Sequence, residues 1–290
     1  MRLAAEIEHR VGALVDKLPP MPETVERLLD ERRRPSAEEL PALVRRDPGL
    51  CIDLLKLANR AVGSGDRVET IEDALQLVGT EAFAQYSGVS FANAVIQRDF
   101  AALRHLPQYF AHSQEISLTC RALAEVVGQP AHDRDMYGVA GLIHDIGRLV
   151  MLIATDDLGA RLVGTSAERM LAVVRDEEGM AGLNHCDIGQ QICSQWNFSP
   201  ILREGVQRHH TPAMKGDVSR PGSFIFLAHF VGLSDFTGQI LSSLIHKEIF
   251  DVLGITPADM DEARRLYRER VASTNEALSV SPASSSRTML

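Results

Sequence analysis

Residues 141–150 read GLIHDIGRLV, with His144 and Asp145 side by side in the middle of an apolar run. A buried charge is costly unless it is paired or bound to a metal. Packing, metal binding and catalysis therefore make different demands on the rest of the chain. Drawn on one helix at about 100° per residue, Val139, Ile143, Ile146, Val150 and Ile153 form a single stripe. His144, Asp145 and Arg148 fall on the other side, beside Gly141 and Leu152. That pattern predicts a buried helix whose one polar side faces a pocket. Gly141 and Gly147 each cost roughly 1 kcal/mol of helix stability against alanine, so their place beside the triplet predicts a close approach to the backbone.

Working outward, the other periodic stretches also read as helix. ETVERLLDE places Val25, Leu28 and Leu29 at spacings of three and four. PSAEELPALVRRDP opens with Ser36, a capping residue three positions before Glu39. GLCIDLLKLANRAVG sets Ile52, Leu55, Ala58 and Val62 on one face and ends at a glycine. TIEDALQLVG is capped by Thr70 and stopped by Gly79. No stretch joins strand alternation to a hairpin turn, and there is no repeat of fixed period. The expected fold class is all-α. A break in the apolar pattern near QRDFAALRHLPQYF divides the chain into an N-terminal helical subdomain, 1–100, and a second helical domain, 101–272. The serine-rich, aromatic-free stretch 273–290 reads as a disordered tail.

The 290 residues are 45% hydrophobic and 24% charged, an ordinary globular balance large enough for a substantial core. The net charge is −9 and the densest basic stretch, ERRRP at 31–35, is short and flanked by acids. Direct DNA binding, which needs clustered cations, is not expected. No apolar run has the length of a membrane span, and the N-terminus MRLAAEIEHRVGALVDK is charged throughout, unlike a signal peptide. Four cysteines without a Cys-x-x-Cys pair fit reduced thiols and a cytoplasmic location.

Eight of the ten histidines lie beyond the break. His112 shares a register with Ile116. His185 shares a face with Ile188, Ile192 and Trp196. His209 follows Leu202 and Val206 at helical spacing, while His210, turned by about 100°, is expected to look elsewhere. His229 sits among apolar neighbours in FIFLAHFVGL. One such histidine reads as a core residue with a satisfied hydrogen bond. Six of them with an aspartate in one helical domain point to a metal, because neutral imidazoles and carboxylates are the common ligands of zinc, iron, nickel and manganese. A second pair, His132–Asp133, precedes a helical run, and there Asp133 or Asp135 is expected to cap the helix.

Several of these motifs in this order resemble the HDOD family, proteins with an HD-related output domain. LPPMPETVERLLDE, LVRRDPGLCIDLLKLANRA and IEDALQLVGTEAFAQY resemble its N-terminal helical half. FAHSQEIS, GLIHDIGRLVML and NHCDIGQQICSQWNFSPILREGVQRHH resemble its HD-like half, the likeness covering roughly 18–240. It implies an HD-like helical bundle behind an HDOD-type N-terminal subdomain. It implies His112 as the first ligand of an HD site and His144 with Asp145 as its pair. His185, His209 and His210 correspond to the added histidines of HD-GYP relatives, which bind iron-like metals and hydrolyse cyclic di-GMP. In that setting Asp145 would bridge metals and Arg148 would take the place of a catalytic lysine, with a planar fork for phosphate.

The departures from the pattern are specific. His229 stands where the family has its closing aspartate, Asp235 lies six residues further on, and TPAMKGDVSRPG after His210 lacks the Gly-Tyr-Pro motif. Most HDOD proteins look like degenerate HD domains. The resemblance therefore implies first a regulatory signal-transduction module. It would work through a protein partner such as a response-regulator receiver domain or a kinase, with a divalent transition metal bound. A metal-dependent phosphohydrolase acting on a nucleotide or cyclic dinucleotide is the second reading, and a helical scaffold with packing histidines the third. The 290 residues contain no βαβ pattern of a receiver domain, which leaves a stand-alone protein and a fragment both open. An apolar N-terminal helix, Leu3 to Val15, would serve a homodimer or pack internally.

Overall fold

The computed structural model describes residues 2–30, 32–62, 67–101, 103, 106–155, 167–214, 216–231 and 245–279. The fold is all-α. In chain order the helices are α1 (Arg2–Asp16), α2 (Glu23–Leu29), α3 (Leu40–Arg46), α4 (Pro48–Val62), α5 (Ile71–Val78), α6 (Thr80–Asp99) and α7 (Leu106–Val126). They continue as α8 (Ala131–Ile143), α9 (Ile146–Ala154), α10 (Ala167–Ala181), α11 (His185–Gln195), α12 (Pro200–Arg208), α13 (Arg220–Val231), α14 (Lys247–Leu253) and α15 (Pro257–Ser279). A two-residue antiparallel ribbon, β1 (Ala213–Met214) and β2 (Asp217–Val218), joins α12 to α13.

Local signals set many of the helix ends. Ser36 and Glu39 form the expected reciprocal capping box, each side chain accepting from the other's backbone N–H at 3.3 and 3.1 Å. Thr70 Oγ1 accepts from the N–H of Asp73 at 3.1 Å. Gly79, at φ +80°, ends α5 and turns the chain directly into α6, a conformation that L side chains rarely adopt. Val25, Leu28 and Leu29 are buried as their spacing requires.

The inner face of α4 differs from the expected one. Leu50, Leu54 and Ala58 are buried, while Ile52 is 51% exposed. Two apolar stripes run along this helix, and periodicity alone cannot say which of them meets α5 and α6. The helix drawn across 139–153 is likewise two helices. The chain makes a turn at His144–Asp145, with Asp145 at φ −95°, ψ 14°. In α8 the capping position belongs to Pro130, and Asp133 lies in the first turn without a capping hydrogen bond. The apolar stretch Asp133–Ala154 is long enough by composition to cross a membrane, but 72% of its most apolar window is buried inside the protein.

One hydrophobic core runs from Ile7 to Ala263. Helix α6 ends at Asp99 and α7 begins at Leu106, and α6 packs on α8. Trp196 of the second half donates its indole N–H to Pro19 O at 3.1 Å and meets Phe91 edge-on at 5.4 Å. Helix α1 lies on the second half altogether. Ile7, Val11 and Val15 are buried, the helix packs on α9, α10 and α11, and Arg10 donates to Ile153 O at 3.1 Å. Helix α15 continues to Ser279, past the expected start of the tail at 273, and residues 280–290 lie outside the described ones.

Helices α9 and α11 approach each other closely at Gly147. A Cβ on Gly147 would run into the carbonyl oxygen of His185 and the backbone nitrogen of Gly189. At Gly141 it would press at 3.1 Å on Ile116 and Cys120 of α7. Both glycines thus answer the close approach that their sequence position implied. Gly147→Ala is expected to destabilise the protein by about 3 kcal/mol, because the obstacle is backbone that cannot swing aside. Urea unfolding measures it, and a loss below about 1 kcal/mol would mean that the two helices part easily.

Candidate metal centre

Six segments converge. Helix α7 brings His112, the α8–α9 turn His144 and Asp145, the first turn of α9 Arg148, the N-terminus of α11 His185, the end of α12 His209 and His210, and the last turn of α13 His229. The turn at 144–145 has a local cause. The His144 ring donates from Nδ1 to Gly141 O at 2.8 Å, one turn back on its own helix. His209 does the same to Val206 O at 2.7 Å, and His229 to Ile225 O at 2.8 Å. The His185 Nδ1 is held instead by Glu177 Oε2 at 2.6 Å. In each case tying Nδ1 to an acceptor assigns the proton there and leaves the Nε2 lone pair facing the others, the arrangement by which proteins orient imidazole ligands.

The two carboxylate oxygens of Asp145 face different groups. Oδ1 lies 3.2 Å from His185 Nε2 and 3.5 Å from His209 Nε2. Oδ2 lies 3.0 Å from Arg148 Nε, 3.5 Å from His144 Nε2 and 3.9 Å from His112 Nε2. The donor atoms of Asp145, His185, His209 and His210 fall within 4.8 Å of one another, and so do those of His112, His144 and His229. The two groups adjoin, since the His144 and His209 rings are 4.9 Å apart and those of His209 and His229 6.0 Å. His144, His185 and His209 are fully buried, whereas the His112 side chain is 37% exposed and marks the open side.

His210 does not look elsewhere. Its ring lies 4.3 Å from that of His209 and 5.0 Å from that of His185. The 100° rule fails because α12 ends at Arg208. Thr211 N–H turns back to Arg208 O at 3.1 Å, and Arg208 holds the ribbon through Pro212 O at 2.7 Å and Asp217 O at 3.0 Å. His105 and Asp235 lie outside the described residues, as does the side chain of His132.

The electrostatics divide the imidazoles. Burial pushes His144, His210 and His229 well below the usual histidine range, and His112 in the same direction. Burial also opposes protonation of His185, but Cys186 and Glu177 outweigh it and raise this group. His209 rises to about 9, burial being overcome by Cys186 and Asp145. Burial alone would raise Asp145, yet Arg148 and His144 hold its carboxyl well below the usual range. Burial would likewise raise the Cys186 thiol, and His185 and His209 bring it down to about 6.

Four buried polar atoms in this cluster have no hydrogen-bond partner: Arg148 Nε and three that can ligate a metal, His144 Nε2, Asp145 Oδ1 and His210 Nε2. Buried polar atoms are nearly always satisfied, so three together, each a good metal donor, fit a cation. Two residues of the site went unread in the sequence. Glu177 stands in the acidic run RDEEGM, which looks like solvated surface but buries this one side chain to 1% exposure. Cys186 follows a histidine and carries no spacing signal of its own. Glu177→Gln is expected to weaken metal binding by about 10–100-fold, the usual cost of losing a partner that orients a ligand histidine. Competition with a chelating dye measures it, and an unchanged affinity would reduce Glu177 to a packing residue.

The sequence pattern of the HDOD domain matches residues 18–212, more than half of the chain. The chain belongs to the HDOD family. An HDOD domain protein of unknown function from Geobacter sulfurreducens superposes with a TM-score of 0.63 at 20% identity, over 95% of each chain. A protein from Marinobacter aquaeolei VT8, provisionally named for signal transduction, gives 0.64 at 18% identity, over 96% of this chain and 66% of its own. A provisionally named phosphohydrolase from Shewanella amazonensis SB2B gives 0.58 at 21% identity, over 90% and 98%. At such identities the likeness carries the HDOD fold. An uncharacterized protein of Treponema pallidum (strain Nichols) is 26% identical over 212 residues, which are 72% of this chain. The chain spans 40% of the length of that relative.

Proposed function

We propose that this HDOD protein is a bacterial signal-transduction module that holds transition metal in its HD-like half and acts through contacts with a protein partner, such as a receiver domain or a kinase. The observation that carries the metal is the convergence of seven donor side chains on one cluster in which three buried donor atoms, His144 Nε2, Asp145 Oδ1 and His210 Nε2, lack partners. Asp145, His185, His209 and His210 would hold one ion, and His112, His144 and His229 a second. A bound transition metal supplies Lewis acidity and positive charge. The chain's own residues do the rest. Glu177 and the three helix carbonyls fix the imidazoles, and Arg148 holds the Asp145 carboxylate in place.

Regulation is favoured over turnover by the use made of Arg148. Its Nε lies 3.0 Å from Asp145 Oδ2 and one Nη donates to His185 Nε2 at 3.2 Å, so the fork expected for phosphate is turned inward. The partly open face at His112 keeps hydrolysis of a nucleotide or cyclic dinucleotide as a second reading. Elemental analysis of tag-free protein prepared without chelators should find stoichiometric transition metal, and none would remove the site. Turnover on a panel of nucleotides and cyclic dinucleotides, lost in Asp145→Ala, would put the hydrolase first.

A further inference from the structure

Adjacent residues on a helix project about 100° apart and ordinarily do not share a target. At the start of α11 they do. The Cys186 Sγ lies 3.6 Å from Nε2 of its neighbour His185, and 3.9 and 4.0 Å from the two ring nitrogens of His209. The two Nε2 atoms are themselves 3.1 Å apart. Cys186 is 3% exposed. Donors bound at about 2.0–2.3 Å to one ion sit roughly 2.9–3.8 Å from each other across four- to six-coordinate geometries; the sides of 3.1 and 3.6 Å fall in that range and the 4.0 Å side between Sγ and His209 Nε2 lies just above it. Against the same two nitrogens lies Asp145 Oδ1, buried and without a hydrogen-bond partner, at 3.2 and 3.5 Å.

We infer that Cys186 is a further, sulfur ligand of the ion assigned above to Asp145, His185, His209 and His210. The inference rests on the metal reading above and adds a selectivity to it. Thiolate is a soft donor that favours zinc, cobalt, nickel or iron over manganese and magnesium. The group of His112, His144 and His229 has no sulfur, so the two positions would differ in the metal they prefer. Coordination releases the thiol proton to solvent as the metal–sulfur bond forms, and nothing is oxidised.

The test titrates chelator-stripped full-length protein with cobalt(II) and follows its absorption. Wild type should show visible ligand-field bands together with a near-ultraviolet thiolate-to-cobalt charge-transfer band. Cys186→Ala and the size-conserving Cys186→Ser should lose the charge-transfer band and keep the ligand-field bands. Zinc affinity should fall at least about tenfold, no less than the loss of a supporting partner costs. Cys51→Ala, Cys120→Ala and Cys193→Ala should keep the full spectrum, which excludes the other thiols. Ligand-field bands in wild type without the charge-transfer band overturn the sulfur ligand and leave the metal site standing. Absence of any cobalt spectrum in wild type overturns the metal reading and this inference with it. Because the deciding band is read in wild type, a variant that fails to fold does not shield the proposal.

Discussion

Asp145→Ala should lose its bound metal and, with all metal removed by chelator, should still unfold about 3–5 kcal/mol more easily than wild type. Both effects have one cause. Asp145 is the carboxylate on which Arg148, His144, His185 and His209 converge, at 3.0 to 3.5 Å. Arg148 is largely but not fully buried, with a side chain 14% exposed. Removing its carboxylate leaves a guanidinium in the interior without its nearest counter-charge, the situation that makes broken buried ion pairs expensive. Asp145→Asn, which keeps the shape and some hydrogen bonding, should cost less stability while still losing the metal. Denaturant unfolding in excess chelator isolates the first effect and elemental analysis the second. An alanine variant that retained metal and stability would show that the His144–Asp145 pair organises nothing.

The stability of the metal-loaded protein should drop steeply as pH falls from about 7 to 5, more steeply than that of the stripped protein. An imidazole held neutral by burial binds fewer protons folded than unfolded. Its contribution is present above the unfolded value of about 6.5 and is lost as the pH falls below it. His144, His210 and His229 are of this kind, and each well-buried group adds a slope of up to about 1.4 kcal/mol per pH unit. His185 and His209 run the other way in the stripped protein. Their raised values mean that their stabilisation is complete below about 6.5 and is lost on the alkaline side, for His209 near 9. A bound metal needs all of these nitrogens unprotonated, which moves His185 and His209 into the acid-sensitive group. Thermal unfolding across pH 5–8, with and without chelator, measures the difference. Parallel curves would mean that no metal competes with protons for these rings.

The fold class was legible because helix periodicity, caps and glycine stops agreed along the chain. The capping box at Ser36 and the cap at Thr70 stand as read. What failed was whatever depended on a helix continuing unchanged. His144–Asp145 interrupts a pattern that is periodic on both sides, because side-chain hydrogen bonds and neighbouring helices reward a turn that no local propensity announces. His210 was assigned by extending α12 past the residue where it stops. In α4 the choice between two stripes belongs to tertiary packing, hence the exposed Ile52. The seven donors named from register and resemblance lie in two adjoining groups. Glu177 was invisible because its importance is a distance to His185, eight residues along the chain and across a change of helix.

The position of α1 bears on how this module can be moved between proteins. The recognisable family pattern starts at 18 and stops at 212, so it omits the helix that shields α9, α10 and α11 as well as α13 with His229. A graft cut at those limits would bare the apolar surface beneath Ile7, Val11 and Val15 and forfeit one donor of the cluster. The unit that recombination must carry intact is therefore larger than the signature by which it is recognised.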